Sequence, residues 1–110
     1  MTFDTGVPAL AAALGEGLAV RDAIVELHLR LLVAAPDTLI ARKRGPSAAA
    51  RVSAGARDVL AAGGVRTAEG RRALRSFDAS LREPGNGLNP GTTADLVTAT
   101  VFVALIERML

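Results

Sequence analysis

Apolar positions recur at helical spacing along nearly the whole chain, and no run alternates polar with apolar residues long enough for a strand. Pro8 suits a first helical position and Gly15 and Gly17 end the pattern, which predicts a helix from Pro8 to Leu14. A second helix is predicted from Ala19 to Ala34. Val20, Ile24, Leu27 and Leu31 form its apolar stripe, and Asp22, Glu26 and Arg30 lie on another face. Glu26 precedes Arg30 in the favourable i, i+4 order. Pro36 breaks the pattern, Asp37 is placed to cap a short third helix through Lys43, and Gly45-Pro46 stops it. A fourth helix, Ser47 to Ala62, turns Val52, Ala56, Val59 and Leu60 inward and ends at Gly63-Gly64. Thr67 is placed to cap a fifth, which runs to Arg82 with Leu74, Phe77 and Leu81 inward and Arg71, Arg72 and Arg75 outward. Glu83 to Gly91 is rich in Pro, Gly and Asn and reads as a loop. The last helix starts at Thr92 or Thr93, runs to the end and is apolar almost all round, the pattern of a helix buried on most sides. The expected fold is all-α: one compact domain of about six helices with a buried C-terminal helix.

Composition narrows this picture. A chain of 110 residues suits a single domain. Its aromatics are Phe3, Phe77 and Phe102 alone, so the core is built of Leu, Val, Ile and Ala. The absence of cysteine rules out disulfides and thiolate metal sites and fits a cytoplasmic protein. Met1 to Val7 lacks the basic and apolar regions of a signal peptide. The longest apolar run, Leu96 to Ile106, falls short of the roughly 20 residues that cross a bilayer. No membrane role is expected. A net charge of +2, without interleaved aromatics or a recognisable motif, does not mark a nucleic-acid binder.

Two segments carry chemical promise. In Asn89-Pro90-Gly91-Thr92-Thr93-Ala94-Asp95-Leu96, glycine and proline shape a tight entry into the last helix. A helix N-terminus presents free N–H groups and partial positive charge, to which two threonine hydroxyls add donors. Asp95, placed in the first turn, is suited to capping, metal binding or proton abstraction. The plainer reading is that Thr92 or Thr93 caps the helix and Asp95 favours its dipole. In Pro36-Asp37-Thr38-Leu39-Ile40-Ala41-Arg42-Lys43-Arg44-Gly45, three consecutive cations end a short helix. They complement its negative end, and they suit a polyphosphate. The plainer reading there is a solvated charged terminus. His28, the single histidine, reads as structural or surface, and no catalytic triad or paired ligand set exists to recruit it.

In this order, these two segments resemble the C-terminal half of the triphosphoribosyl-dephospho-CoA synthases, with agreement in spacing from Pro8 to Leu110. The form Gly87-Leu88-Asn89-Pro90-Gly91-Thr92-Thr93-Ala94-Asp95-Leu96-Val97 is similar to the branch that serves malonate decarboxylase; the citrate lyase branch tends towards Pro-Gly-Gly-Ser-Ala-Asp-Leu. The resemblance implies an all-helical transferase that joins ATP to 3′-dephospho-CoA and releases adenine. Its product is the prosthetic-group precursor of the decarboxylase's acyl carrier protein. It implies Arg42, Lys43 and Arg44 as phosphate contacts and Asn89, Gly91, Thr92 and Thr93 as substrate-binding donors. It implies Asp37 as a substrate or Mg²⁺ contact, and Asp95 as a Mg²⁺ ligand or the base for the attacking hydroxyl. Family members are more than twice as long, with Pro-Lys-Pro-Gly and Gly-Ala-His-x-Asp-Met segments in an N-terminal half absent here. The expectation is a chain that catalyses only with such a half. The alternative is a non-catalytic helical interaction or homo-oligomerisation domain, with a basic nucleic-acid binder well behind.

Overall fold

The computed structural model describes residues 2–82 and 87–107. The parts of the predicted loop and last helix that fall on 83–86 and 108–110 lie outside them. A π-helical turn, Thr2–Gly6, leads into α1 (Val7–Gly15), followed by α2 (Val20–Ala34), α3 (Thr38–Arg44) and α4 (Pro46–Ala61). A 3-10 turn, Gly64–Arg66, precedes α5 (Ala68–Leu81), and α6 (Gly91–Ile106) closes the fold. The all-α class and the six helices agree with the sequence pattern. The π and 3-10 turns were not expected from it.

The hydrophobic pattern divides into two cores with α2 between them. Leu27 and Leu31 of α2 join Leu10 and Ala13 of α1 and Ala104 of α6. Leu29 and Leu32, on the other side of α2, join Ile40 of α3 and Ala49, Val52 and Val59 of α4. Leucines on two faces make α2 the central helix. Leu10, Leu27, Leu31, Leu32 and Ile40 are fully buried, each contributing about 1.5–3 kcal/mol.

Helix α6 packs on α2, α1, α3 and the π turn, and its burial is one-sided. The buried side is made of small residues, Thr93, Thr100 and Ala104. Thr100 is tolerated there because its hydroxyl donates to Leu96 O at 2.8 Å. Phe102 is 63% exposed and Ile106 65%.

Glu26, expected beside Arg30 on a polar face, is buried to 2% exposure. Its Oε2 accepts from Arg30 Nε at 2.9 Å. Its Oε1 lies 3.0 Å from Arg66 Nη1, an ion-pair contact without hydrogen-bond alignment. Arg66 also forks onto Glu16, with Nε–Oε2 at 2.7 Å and Nη2–Oε1 at 2.8 Å. That bond holds the Glu16 carboxyl below its usual range.

Gly63 and Gly64 end α4 in left-handed conformations, φ 115° and 58°. Thr67 caps α5 as the spacing predicts, its Oγ1 accepting from Gly70 N at 2.9 Å. Gly70 must stay small, because a Cβ there would run into the backbone of Gly63 and Gly64. Gly70→Ala should therefore destabilise the fold by about 1–3 kcal/mol, read from the urea midpoint of the helical signal. An unchanged midpoint would show that the turn can shift aside.

Candidate functional site

The two segments singled out in the sequence meet at Asp37. This residue follows Pro36 in the link between α2 and α3 and is 2% exposed. Its Oδ1 accepts from Leu39 N at 2.9 Å and Ile40 N at 3.1 Å, capping α3 as expected. Its Oδ2 accepts from Thr93 N and Thr93 Oγ1, both at 2.7 Å, across 56 residues of sequence. Helix α6 has no cap of its own: it begins at Gly91, after Pro90, with no side-chain hydrogen bond from that residue. The reading of Thr92 or Thr93 as its cap is corrected accordingly. The cap comes from the residue that caps α3, and both groups of Thr93 donate to it.

This arrangement also places a negative charge at the positive end of α6, so part of that helix's capacity for an anion is used internally. A Cβ at Gly91 would meet the end of the Leu39 side chain, which would have to turn aside. Beside the carboxylate, Thr38 Oγ1 and Thr92 Oγ1 lie 2.7 Å apart, and either can donate. The hydroxyl pair faces solvent, unlike the buried bonds behind it.

Two further groups share the faces that carry these hydroxyls. Arg42 follows Thr38 by four residues on α3, about one turn or 6 Å along the axis. Asp95 follows Thr92 by three on α6. Because α6 starts at Gly91, Asp95 falls beyond the first turn in which the sequence placed it. It is exposed and has no side-chain partner among the described residues. Arg42, Lys43 and Arg44 are exposed at the end of α3. Asn89 is exposed before α6, and its carbonyl accepts from Gly91 N at 2.8 Å.

The sequence reading therefore recovers a real juxtaposition of Asp37, Gly91, Thr92 and Thr93. It did not single out Thr38, although the i, i+4 relation to Arg42 was legible. It also set aside His28. That side chain lines a cleft between α2 and α5, and its Nε2 is buried with no hydrogen-bond partner among the described residues. Burial holds the imidazole pKa below its usual range, against an opposing pull from the Asp37 charge.

The fit to Mg²⁺ is poor for the protein groups alone. Among the described residues no three His, Asp or Glu side chains are grouped to hold a metal ion. The oxygens of Asp37 already take four protein donors. Asp95 remains as one exposed carboxylate, so a magnesium ion here would need most of its oxygen ligands from elsewhere.

Comparison with known proteins follows the same lines. A family profile, ATP:dephospho-CoA triphosphoribosyl transferase (CitG), matches residues 1–110. The chain is 36% identical over 104 residues to a probable 2-(5''-triphosphoribosyl)-3'-dephosphocoenzyme-A synthase of Stutzerimonas stutzeri, covering 92% of this chain and 34% of that protein. Proteins described in the same words from Pseudomonas putida, 36% identical over 98 residues, and Azotobacter vinelandii, 32% over 105, cover 89% and 96% of the chain. Those alignments take in 34% and 35% of the two relatives. The chain thus spans about a third of the length of the curated relatives it matches. No solved structure matches it. On the match along its entire length, the chain belongs to the ATP:dephospho-CoA triphosphoribosyl transferase family.

Proposed function

We propose that this chain supplies the C-terminal part of a triphosphoribosyl-dephospho-CoA synthase, acting with further chain that carries the rest of the site. The observation that supports this is the Asp37 bridge. It holds the start of α3 against the start of α6 and so brings Thr38 and Thr92 together at an exposed position, with Arg42 one turn further along α3 and Asp95 one turn further along α6. In the proposed reaction a ribose hydroxyl of 3′-dephospho-CoA attacks the anomeric carbon of the ATP ribose. The new C–O bond replaces the C–N bond to adenine, which leaves as the free base after gaining one proton, so that the proton lost by the attacking hydroxyl is balanced by the one adenine takes up. Positive charge builds up at the anomeric carbon, as in glycoside transfer. Asp95 is assigned as the carboxylate that takes the hydroxyl proton. Arg42, Lys43 and Arg44, with Asn89, Gly91 and the Thr38–Thr92 hydroxyls, are assigned to the phosphates. Thr93 and Asp37 serve by positioning. Mg²⁺ enters this reading with ATP, on the triphosphate.

Service to malonate decarboxylase is the finer part of the proposal. It rests on the Asn89-Pro90-Gly91-Thr92-Thr93-Ala94-Asp95-Leu96 form. A cytoplasmic setting is proposed with it; among the described residues no helix is long and apolar enough to cross a membrane. The test is adenine release from ATP in the presence of 3′-dephospho-CoA and Mg²⁺. The chain alone should release none, and the chain supplied with the remaining two thirds of a relative should release adenine in step with the coupled nucleotide. Failure of the combined protein would count against the reading. A second reading, a helical domain that associates through α6, is favoured by the exposed Phe102, Leu105 and Ile106. It predicts self-association without nucleotide binding.

A further inference from the structure

Sequence and burial disagree along one side of α6. The helix has almost no polar face, yet Phe102, Leu105 and Ile106 stand exposed. The water-facing side of a helix ordinarily carries polar and charged residues. Asp95, Thr98, Phe102 and Ile106 fall at i, i+3, i+7 and i+11, a continuous stripe about 16 Å long. All four are exposed. The stripe changes character along its length. Its first turns are polar or small: Asp95 has no side-chain partner among the described residues, Thr98 turns its hydroxyl back onto Ala94 O at 3.1 Å, and Ala99 adds only a methyl group. Its last turns are the apolar ones.

A second copy of the chain is a poor occupant for this stripe. Its apolar end exposes a few hundred Å², short of the ~800 Å² per partner that a stable interface between separate proteins buries. A partner held on the same chain needs less, because little entropy is lost when it docks. The relatives contain such a partner: the part that matches here is 34% of the Stutzerimonas stutzeri protein, and the rest of that chain lies outside the match. We propose that the outer side of α6 is where the remaining two thirds of a family member packs, covering Phe102, Leu105 and Ile106 with apolar side chains of its own and leaving Asp95 at the edge of the seam. The inference rests on the functional reading above and says where the rest of that site enters. The Asp37 bonds to Thr93 fix the start of α6, so a segment seated on the apolar end is aligned with the Asp95 carboxylate by the helix itself.

The chain holds no cysteine, so Phe102→Cys and Asp95→Cys each give it a single thiol at an exposed position. In the free chain both thiols should react readily with a maleimide. In a protein of full family length, with this chain in place of the matching third of the Stutzerimonas stutzeri relative, labelling is read at each site by peptide mass spectrometry. There the thiol of Phe102→Cys should react about tenfold more slowly than in the free chain, and that of Asp95→Cys should stay reactive, since the seam has to admit substrate. Cysteine at the aligned position of the unaltered relative should be protected like Phe102→Cys, which keeps the test independent of how well the joined protein folds. Equal rates for Phe102→Cys in the free and full-length forms would overturn the proposal. So would protection that appears in the free chain as its concentration rises, which would make a second copy the occupant. Closure of Asp95→Cys along with Phe102→Cys would overturn its place at the edge. Adenine release by the joined protein judges the functional reading separately: release with Phe102→Cys unprotected would remove this seam and spare that reading, and protection without release would do the reverse.

Discussion

Replacing Asp37 with alanine should lower the stability of the fold by about 3 kcal/mol, the largest loss expected from any single polar side chain here. The carboxylate serves two helices at once. Loss of the α3 cap alone costs about 1 kcal/mol. Loss of the charged acceptor for Thr93 adds about 1.5–3 kcal/mol, because Thr93 N–H is buried and donates to this carboxylate. In a small domain with a total of roughly 5–15 kcal/mol, the variant should unfold at markedly lower urea, followed by helical ellipticity. Asp37→Asn is the sharper test. All four neighbours donate to the carboxylate. An asparagine of the same shape turns an NH₂ group towards one pair of them. Thr93 Oγ1 can reverse to accept, but backbone N–H groups cannot. Asparagine should therefore recover little of the loss. A variant within about 0.5 kcal/mol of the parent would show that the bridge is dispensable.

Asp95 should behave in the opposite way. Asp95→Asn, made in a protein that carries the full length of its relatives, should slow adenine release by about 10²–10⁴-fold. Its stability should stay within about 0.5 kcal/mol, since Asp95 is exposed and has no side-chain partner among the described residues. Retained activity would remove it from the reaction. The two aspartates looked alike in the sequence, both near helix starts within the two motifs. The structure separates them into a buried group bonded on both oxygens and an exposed one.

The helices themselves were legible because periodicity and punctuation agree. Asp37, Thr67, Gly45 and Gly63-Gly64 act where local chemistry requires. What could not be read is information held between helices. The burial of Glu26 depends on Arg66, supplied by a short turn after α4. The exposure of Phe102 follows from α6 presenting small residues to α2, whereas an apolar helix with no polar face shows no preference in its sequence. The Asp37–Thr93 contact spans 56 residues, and nothing local to either residue announces it. Likewise Leu74, Phe77 and Leu81 were read as facing inward, but the cleft they line with residues of α2 exists only once α4 and the 3-10 turn hold α5 in place.

The carboxylate at the start of α6 has a consequence for ionic strength. With that helix end partly neutralised from within, the charge that the proposed function offers a polyphosphate comes from the exposed cations at the end of α3. Their attraction is screened within about 8 Å in physiological salt and within about 3 Å at 1 M. The Asp37 bonds are shielded from solvent and escape most of that screening. Added salt should thus release a bound anion well before it melts the helices.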